Sequence, residues 1–226
     1  MRKGYGHMVH DYYVAKLREM HQQRTARLET VSSPEKARAY QERVKEAIRS
    51  AFQPTPAKTP LNPRITGVVE RPGYRIEKVL LESRPGFLVT ANLYIPHDLQ
   101  GPAPAVLGTC GHSADGKAYE LYQGFSQRLA LAGFVVLTYD PINQGERDQY
   151  AGLSDREAVV ACTRAHNMMG KQLELVGGYF GMWRAWDGIR ALDYLLSRPE
   201  VDPKRVGLTG NSAGGTITTW LWAIED

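Results

Sequence analysis

The chain has 226 residues, of which 42% are hydrophobic and 23% charged, a composition that excludes a largely disordered polymer and suffices for one large domain or a domain plus an extension. Its net charge of +4 is unevenly placed: residues 1–60 carry 12 Lys and Arg against 6 Asp and Glu, and residues 61–226 carry 16 against 18. Acids are interspersed among the N-terminal bases and no run of five like charges occurs, so a solvated helical face is preferred over a nucleic-acid patch.

Residues 11–28 are rich in helix formers, and Ser32-Ser33-Pro34-Glu35 is a helix start signal. In the helix after it, Tyr40, Val44, Ala47, Ile48 and Ala51 recur at three- and four-residue steps and form one apolar stripe. Five prolines between Phe52 and Gly73 break any helix. The organisation expected is a helical extension over 1–53, a Pro-rich linker over 54–73 and a main domain over 74–226.

The main domain opens with a hairpin. Residues 74–82 form its first strand, Ser83-Arg84-Pro85-Gly86 its turn, and 87–95 its second strand, with Phe87, Val89, Ala91, Leu93 and Ile95 on one face. Short apolar strands at 104–110 and 134–140 then read as members of a parallel sheet, with a helix at about 117–132 between them. Residues 141–181 read as a loop-rich insertion with some helix. A helix over 182–198, with Trp186, Ile189, Leu192 and Leu196 along one side, leads through a turn to a strand at 205–209 and a helix from about Ser212. Alternating strands and helices imply a three-layer α/β sheet with right-handed crossovers.

Chemistry concentrates after three strands. Gly210-Asn211-Ser212-Ala213-Gly214 is a G-x-S-x-G pattern between a strand and a helix. On such a turn the glycines (Gly210, Gly214 and Gly215) supply space, and the serine projects at a helix N-terminus whose dipole favours an oxyanion. The competing reading is a serine helix cap. Acyl transfer needs two N–H donors for the oxyanion. The Ala213 amide is one candidate and the His112 amide the other, with Ser113 second to His112. The His112 side chain reads as lining the pocket or packing locally rather than as the base. After the fourth strand, Glu146 and Arg147 are candidates to touch substrate, although ion pairing that holds their loop is the preferred reading. Asp187 and Arg190 look like an ordinary i, i+3 pair. Cys110 and Cys162 lack metal-ligand spacing, and a disulfide between them stays open.

Taken together, GHSADGK at 111–117, YDPINQGER at 139–147, WDGIRALDYLLSRPEVDPKRVGLTG at 186–210 and GNSAGG at 210–215 resemble the α/β-hydrolase superfamily, in its acetyl xylan esterase-like and dienelactone hydrolase-like bacterial branch. The similarity covers about residues 70–226. It implies a serine esterase: Ser212 attacks a small acyl ester, with an acetyl group on a sugar as one candidate, and water releases the acyl-enzyme without metal or cofactor. In that family three further strands carry an acid and then a histidine. Only 14 residues follow Ser212 and none is a histidine, so the resemblance implies a chain truncated after the nucleophile helix and poorly active alone. An inactive binding protein or a peptidase of the same fold is the alternative. MRKGYGHMVHDYY has no apolar signal core, and the longest apolar run, Leu129 to Leu137, is too short to cross a bilayer. A cytoplasmic protein with a small-molecule ester as partner, and neither nucleic acid nor membrane, is the default expectation.

Overall fold

A computed structural model describes residues 6–150 and 162–225. They form two compact units, one up to Ala47 and one from Ile48. The first contains α1 (Met8–Glu29) and most of α2 (Pro34–Ala51). Ser33 starts α2 as expected, its Oγ accepting from the Lys36 amide at 3.3 Å. The stripe expected along α2 is not a buried face: Val44 is 39% exposed, and Ala47 and Ala51 are also exposed. The apolar anchors of the second unit's first turn are Ile48 and the following Phe52, which pack on the core.

The second unit holds six strands in the order β1-β2-β3-β5-β4-β6. They are β1 (Arg64–Arg71), β2 (Tyr74–Arg84), β3 (Phe87–Pro96), β4 (Ala103–Thr109), β5 (Val135–Tyr139) and β6 (Val201–Gly210). β1, β2, β3 and β5 pair antiparallel in succession, whereas β4 runs parallel to both β5 and β6. The hairpin and the parallel set match the sequence reading. β1 corrects it, because this strand lies inside the stretch read as linker. The serine pattern therefore follows the sixth strand of the sheet rather than the fifth.

A short 3₁₀ turn (Gly116–Ala118) precedes α3 (Glu120–Leu131), which covers one sheet face. α5 (Phe180–Leu196) and α6 (Ala213–Ile224) cover the other, and α4 (Cys162–Leu175) packs on α5. Strand alternation sorts side chains between the two layers: Val135, Leu137 and Tyr139 of β5 face α5 and α6, whereas Val136 joins Tyr74, Tyr94 and Ala130 on the α3 side. The buried face of α5 is broader than the stripe expected. Trp186 and Ile189 are buried with Met182, Tyr194 and Leu195, whereas Leu196 is exposed. Part of the expected 141–181 insertion, residues 151–161, lies outside the described residues.

The register sets up the site. Thr109 of β4 is level with Tyr139 of β5 and with Gly210 of β6. Three parallel strands thus end at one edge, and the loops after them start side by side, at the carboxyl edge where α/β sheets bind ligands.

Candidate active site

The loop after β6 is a strained turn. Ser212 has φ 54° and ψ −122°, outside the regions open to most side-chain-bearing residues, at a cost on the order of 1–3 kcal/mol. It is exposed, and its side chain caps no helix amide, which removes the cap reading. Neighbours enforce the turn. A Cβ at Gly210 would collide with Thr109 Oγ1, and one at Gly214 would collide with the Thr109 carbonyl oxygen. Gly215 is different: a Cβ there meets only the Gly210 oxygen at 3.4 Å, so it gives no needed space. Thr109 Oγ1, 2.7 Å from the Gly214 carbonyl and 2.9 Å from Thr218 Oγ1, ties the end of β4 to the first turns of α6.

Donors for an oxyanion stand nearby. Among the described residues, the Ala213 and His112 amides donate no hydrogen bond within the chain. The His112 amide is aimed by its own peptide plane. Gln144, 1% exposed, donates from Nε2 to the Gly111 carbonyl at 2.8 Å and to the Ser113 carbonyl at 2.9 Å. In a trans peptide the carbonyl and the following N–H point opposite ways. Holding the Gly111 carbonyl on Gln144 therefore turns the His112 N–H away from Gln144. The Gly111 amide in turn donates to the Tyr122 hydroxyl at 2.6 Å. A Cβ at Gly111 would lie 2.5 Å from the Asn211 carbonyl oxygen and 3.1 Å from Ser212 Cβ, so this loop lies directly against the serine turn.

The two histidines form a chain. His166 Nε2 is 2.7 Å from the Ile142 carbonyl, which can only accept, so Nε2 carries the proton. Neutral His166 then accepts at Nδ1 from His112 Nε2, 2.8 Å away. Burial, despite the Ile142 bond, pushes the His166 pKa down to about 4, and burial followed by the charge of Arg184 lowers that of His112. The His112 side chain is thus engaged with His166, and neither imidazole hydrogen-bonds Ser212.

The loop after β5 is held by buried charge. Asp140, 0% exposed, accepts from Thr90 Oγ1 at 2.6 Å and from the amides of Lys117 at 2.7 Å and Glu146 at 3.2 Å, and pairs with Lys117 Nζ. Lys117 also pairs with Glu146. Gly116 and Gly145, both at positive φ, press so closely on Asp140 that a Cβ at either would strike its carboxylate. Arg147 Nη1 donates to Asp187 Oδ2 and to the Asp140 carbonyl, each at 2.8 Å. The expected Asp187–Arg190 pair does not form: Asp187 holds Arg147, while Arg190 holds Asp193 at 2.6 Å and the Thr59 carbonyl. Both cysteines are free and buried, which closes the disulfide question.

An open cavity of about 480 Å³ starts at His112 and His166 and runs between α4, α5 and α6. Ser113, Glu146 and Arg147, the candidates for the substrate pocket, do not line it; Lys171, Tyr179, Arg184 and Trp220 do. Sequence reasoning missed Gln144, Asp140 and Arg184. The first two lie in the quoted YDPINQGER stretch, but their contacts run to residues 23 to 50 positions earlier. No described cluster of His, Cys, Asp and Glu suits a metal, and no described helix is long and apolar enough to cross a membrane.

A half-antiparallel, half-parallel sheet sandwiched by helices, with a serine elbow after its last parallel strand, is the α/β-hydrolase fold. Comparison with known proteins agrees. A provisionally assigned acetyl xylan esterase from Bacteroides fragilis NCTC 9343 superposes with a TM-score of 0.69 at 19% identity, covering 86% of this chain and 52% of that one. The YtaP protein of Bacillus subtilis (strain 168), provisionally described as a hydrolase, is 29% identical over 182 residues, 76% of this chain and 56% of its own length. The esterase FrsA of Photorhabdus laumondii is 38% identical over 153 residues, 68% of this chain and 30% of its own. The chain thus spans about half or less of the length of these relatives. No family model matches it.

Proposed function

We propose that the chain carries the nucleophile and the oxyanion donors of a serine ester hydrolase acting on small carboxylic esters of the acetyl type. The observation that carries this reading is the Ser212 backbone: an exposed, non-glycine residue at φ 54° between a strand and a helix, with Gly210 and Gly214 unable to accept a side chain. Such strain persists where the surrounding structure enforces it, and it clusters at working residues.

In the proposed reaction Ser212 Oγ adds to the ester carbonyl, the oxygen becomes an oxyanion facing the Ala213 and His112 amides, and the alcohol leaves an acyl-serine. Water then adds to the acyl group and releases the acid. Among the described residues no imidazole or carboxylate hydrogen-bonds Ser212, so the reading assigns the general base to none of them. The likeness to esterases supports the ester as substrate class. A second reading is a ligand-binding protein of the same fold.

A fluorophosphonate probe separates them, with the labelled site read by intact mass and peptide mapping. Labelling at Ser212, lost in Ser212→Ala, is expected. A short acyl ester assay on the same samples then reads turnover. Absence of label on folded protein overturns the nucleophile assignment.

A further inference from the structure

The first unit has no core of its own. No described residue up to Ala47 is buried, and α1 buries none of its 22 residues. At 1.5 Å per residue α1 is about 33 Å long, and a helix of that kind draws its stability in water from packing an apolar face rather than from its own hydrogen bonds. Such a face is present. Met8, Val9, Tyr12, Tyr13, Leu17 and Met20 are each 59% to 70% exposed. At 100° per residue they share one side of the helix, centred on Val9 and Met20. From residue 23 onward the same side carries Gln23, Arg24 and Arg27. The apolar surface is therefore a patch confined to the first half of α1, and six large apolar side chains in one exposed patch mark an interaction site.

Two charged side chains interrupt the patch and select what covers it. Lys16 lies in its middle and Glu19 at one margin, and the two pair with each other at 3.4 Å. Consider two α1 helices packed antiparallel about a two-fold axis between Val14 and Ala15. Val9 then lies opposite Met20 of the second copy. Tyr13 lies against Lys16 and Leu17 of that copy, a ring facing an ammonium. Tyr12 lies beside its Glu19, a phenol O–H next to a carboxylate. Both charges thus gain a suitable neighbour from the same patch, as an isologous interface requires. Covering the six apolar side chains removes on the order of 600 Å² per copy, close to the ~800 Å² that a standard interface takes from each partner. An anionic lipid surface fits less well, because Asp11, Glu19 and Glu29 nearly cancel Lys16, Arg18, Arg24 and Arg27 along the helix.

We propose that α1 is a self-association surface, through which two copies of the chain pair antiparallel over residues 8–20, with Val9 on Met20 and Tyr13 on Lys16 and Leu17. Lys16 fixes the register, as a polar residue within an apolar helix seam does. The pairing stands apart from the ester-hydrolase reading, and neither depends on the other.

Sedimentation velocity of the whole chain, from submicromolar to submillimolar concentration, is expected to show a reversible monomer–dimer equilibrium. Met20→Glu places a carboxylate in the centre of the patch and is expected to weaken dimerisation at least tenfold. Thr25→Glu, exposed on the opposite side of α1, is expected to leave it unchanged. Cross-linking reads the register without a disruptive variant, since Cys110 and Cys162 are buried and positions 9 and 20 are exposed. Oxidised glutathione added to a mixture of Val9→Cys and Met20→Cys chains should give mainly the mixed disulfide dimer, with far less product from either variant alone. A monomer at every concentration, or a dimer that survives Met20→Glu, overturns the proposal. Val9→Cys chains cross-linking to each other in preference to Met20→Cys chains overturns the antiparallel pairing. Binding of a monomeric chain to phosphatidylserine vesicles gives the patch to a membrane surface and overturns it as well.

Discussion

At the scale of single residues, Gly214 and Gly215 make an internal control. Gly214→Ala drives a methyl group into the backbone of β4. It is expected to destabilise the protein by about 3 kcal/mol and to abolish labelling of Ser212. Gly215→Ala sits inside α6 at ordinary contact distance and should be neutral or stabilising by up to about 1 kcal/mol. Urea midpoints of the two variants check the contrast, and equal destabilisation would refute the assigned geometry. Gln144→Met keeps volume but leaves the Gly111 and Ser113 carbonyls unbonded. It frees the peptide that aims the His112 amide, so labelling of Ser212 should slow about tenfold, equivalent to about 1.4 kcal/mol. An unchanged rate in a folded variant would show that Gln144 does not position the donor. The serine turn was legible in the sequence because its requirement is local: glycine, serine and glycine within five positions. The clamp was not, because a glutamine reaching back 33 residues leaves no periodic signal.

Elements fail or succeed as sequence signals by how they are buried. β5 was legible because all five of its residues are buried and apolar or small. β1 was hidden because it lies at the edge of the sheet, where Ile65 is 50% and Val68 53% exposed and no alternation results. Prolines at 63 and 72 bracket it, which suits an edge strand as well as a linker. The same logic applies where loops meet. Asp140 joins β3, the 3₁₀ turn and the loop after β5 through three hydrogen bonds and an ion pair. Asp140→Ala leaves Lys117 buried without its innermost partner and should cost about 3–5 kcal/mol. Glu146→Gln, on the exposed side of the same lysine, should cost less than about 1 kcal/mol. Chemical denaturation measures both, and similar losses would mean that Asp140 is not the hub.

For the whole molecule, acid reads the neutral histidine chain. The sign follows from proton counts. An unfolded histidine takes its proton near pH 6.5, whereas folded His166 takes it only at about 4. Above pH 6.5 both states are neutral there, and the group contributes no pH dependence. Between 6.5 and 4 the unfolded state binds the proton and the folded state refuses it, so stability falls with falling pH, by on the order of 3 kcal/mol across the window. Folded His112, also depressed, adds in the same direction. The carboxylates of Glu200 and Asp202, held below their usual values by Arg198 and Arg205, contribute only further down. There, stability is lost as pH falls through the folded values. His166→Gln keeps a donor for the Ile142 carbonyl and an acceptor for His112 but cannot titrate. Its unfolding free energy should change between pH 7 and 5 by markedly less than that of the unsubstituted protein. The effect belongs to the unit from Ile48 onward, which contains both histidines, so calorimetry should show the pH shift in that unit's transition. Parallel pH profiles for the two proteins would place the acid sensitivity elsewhere.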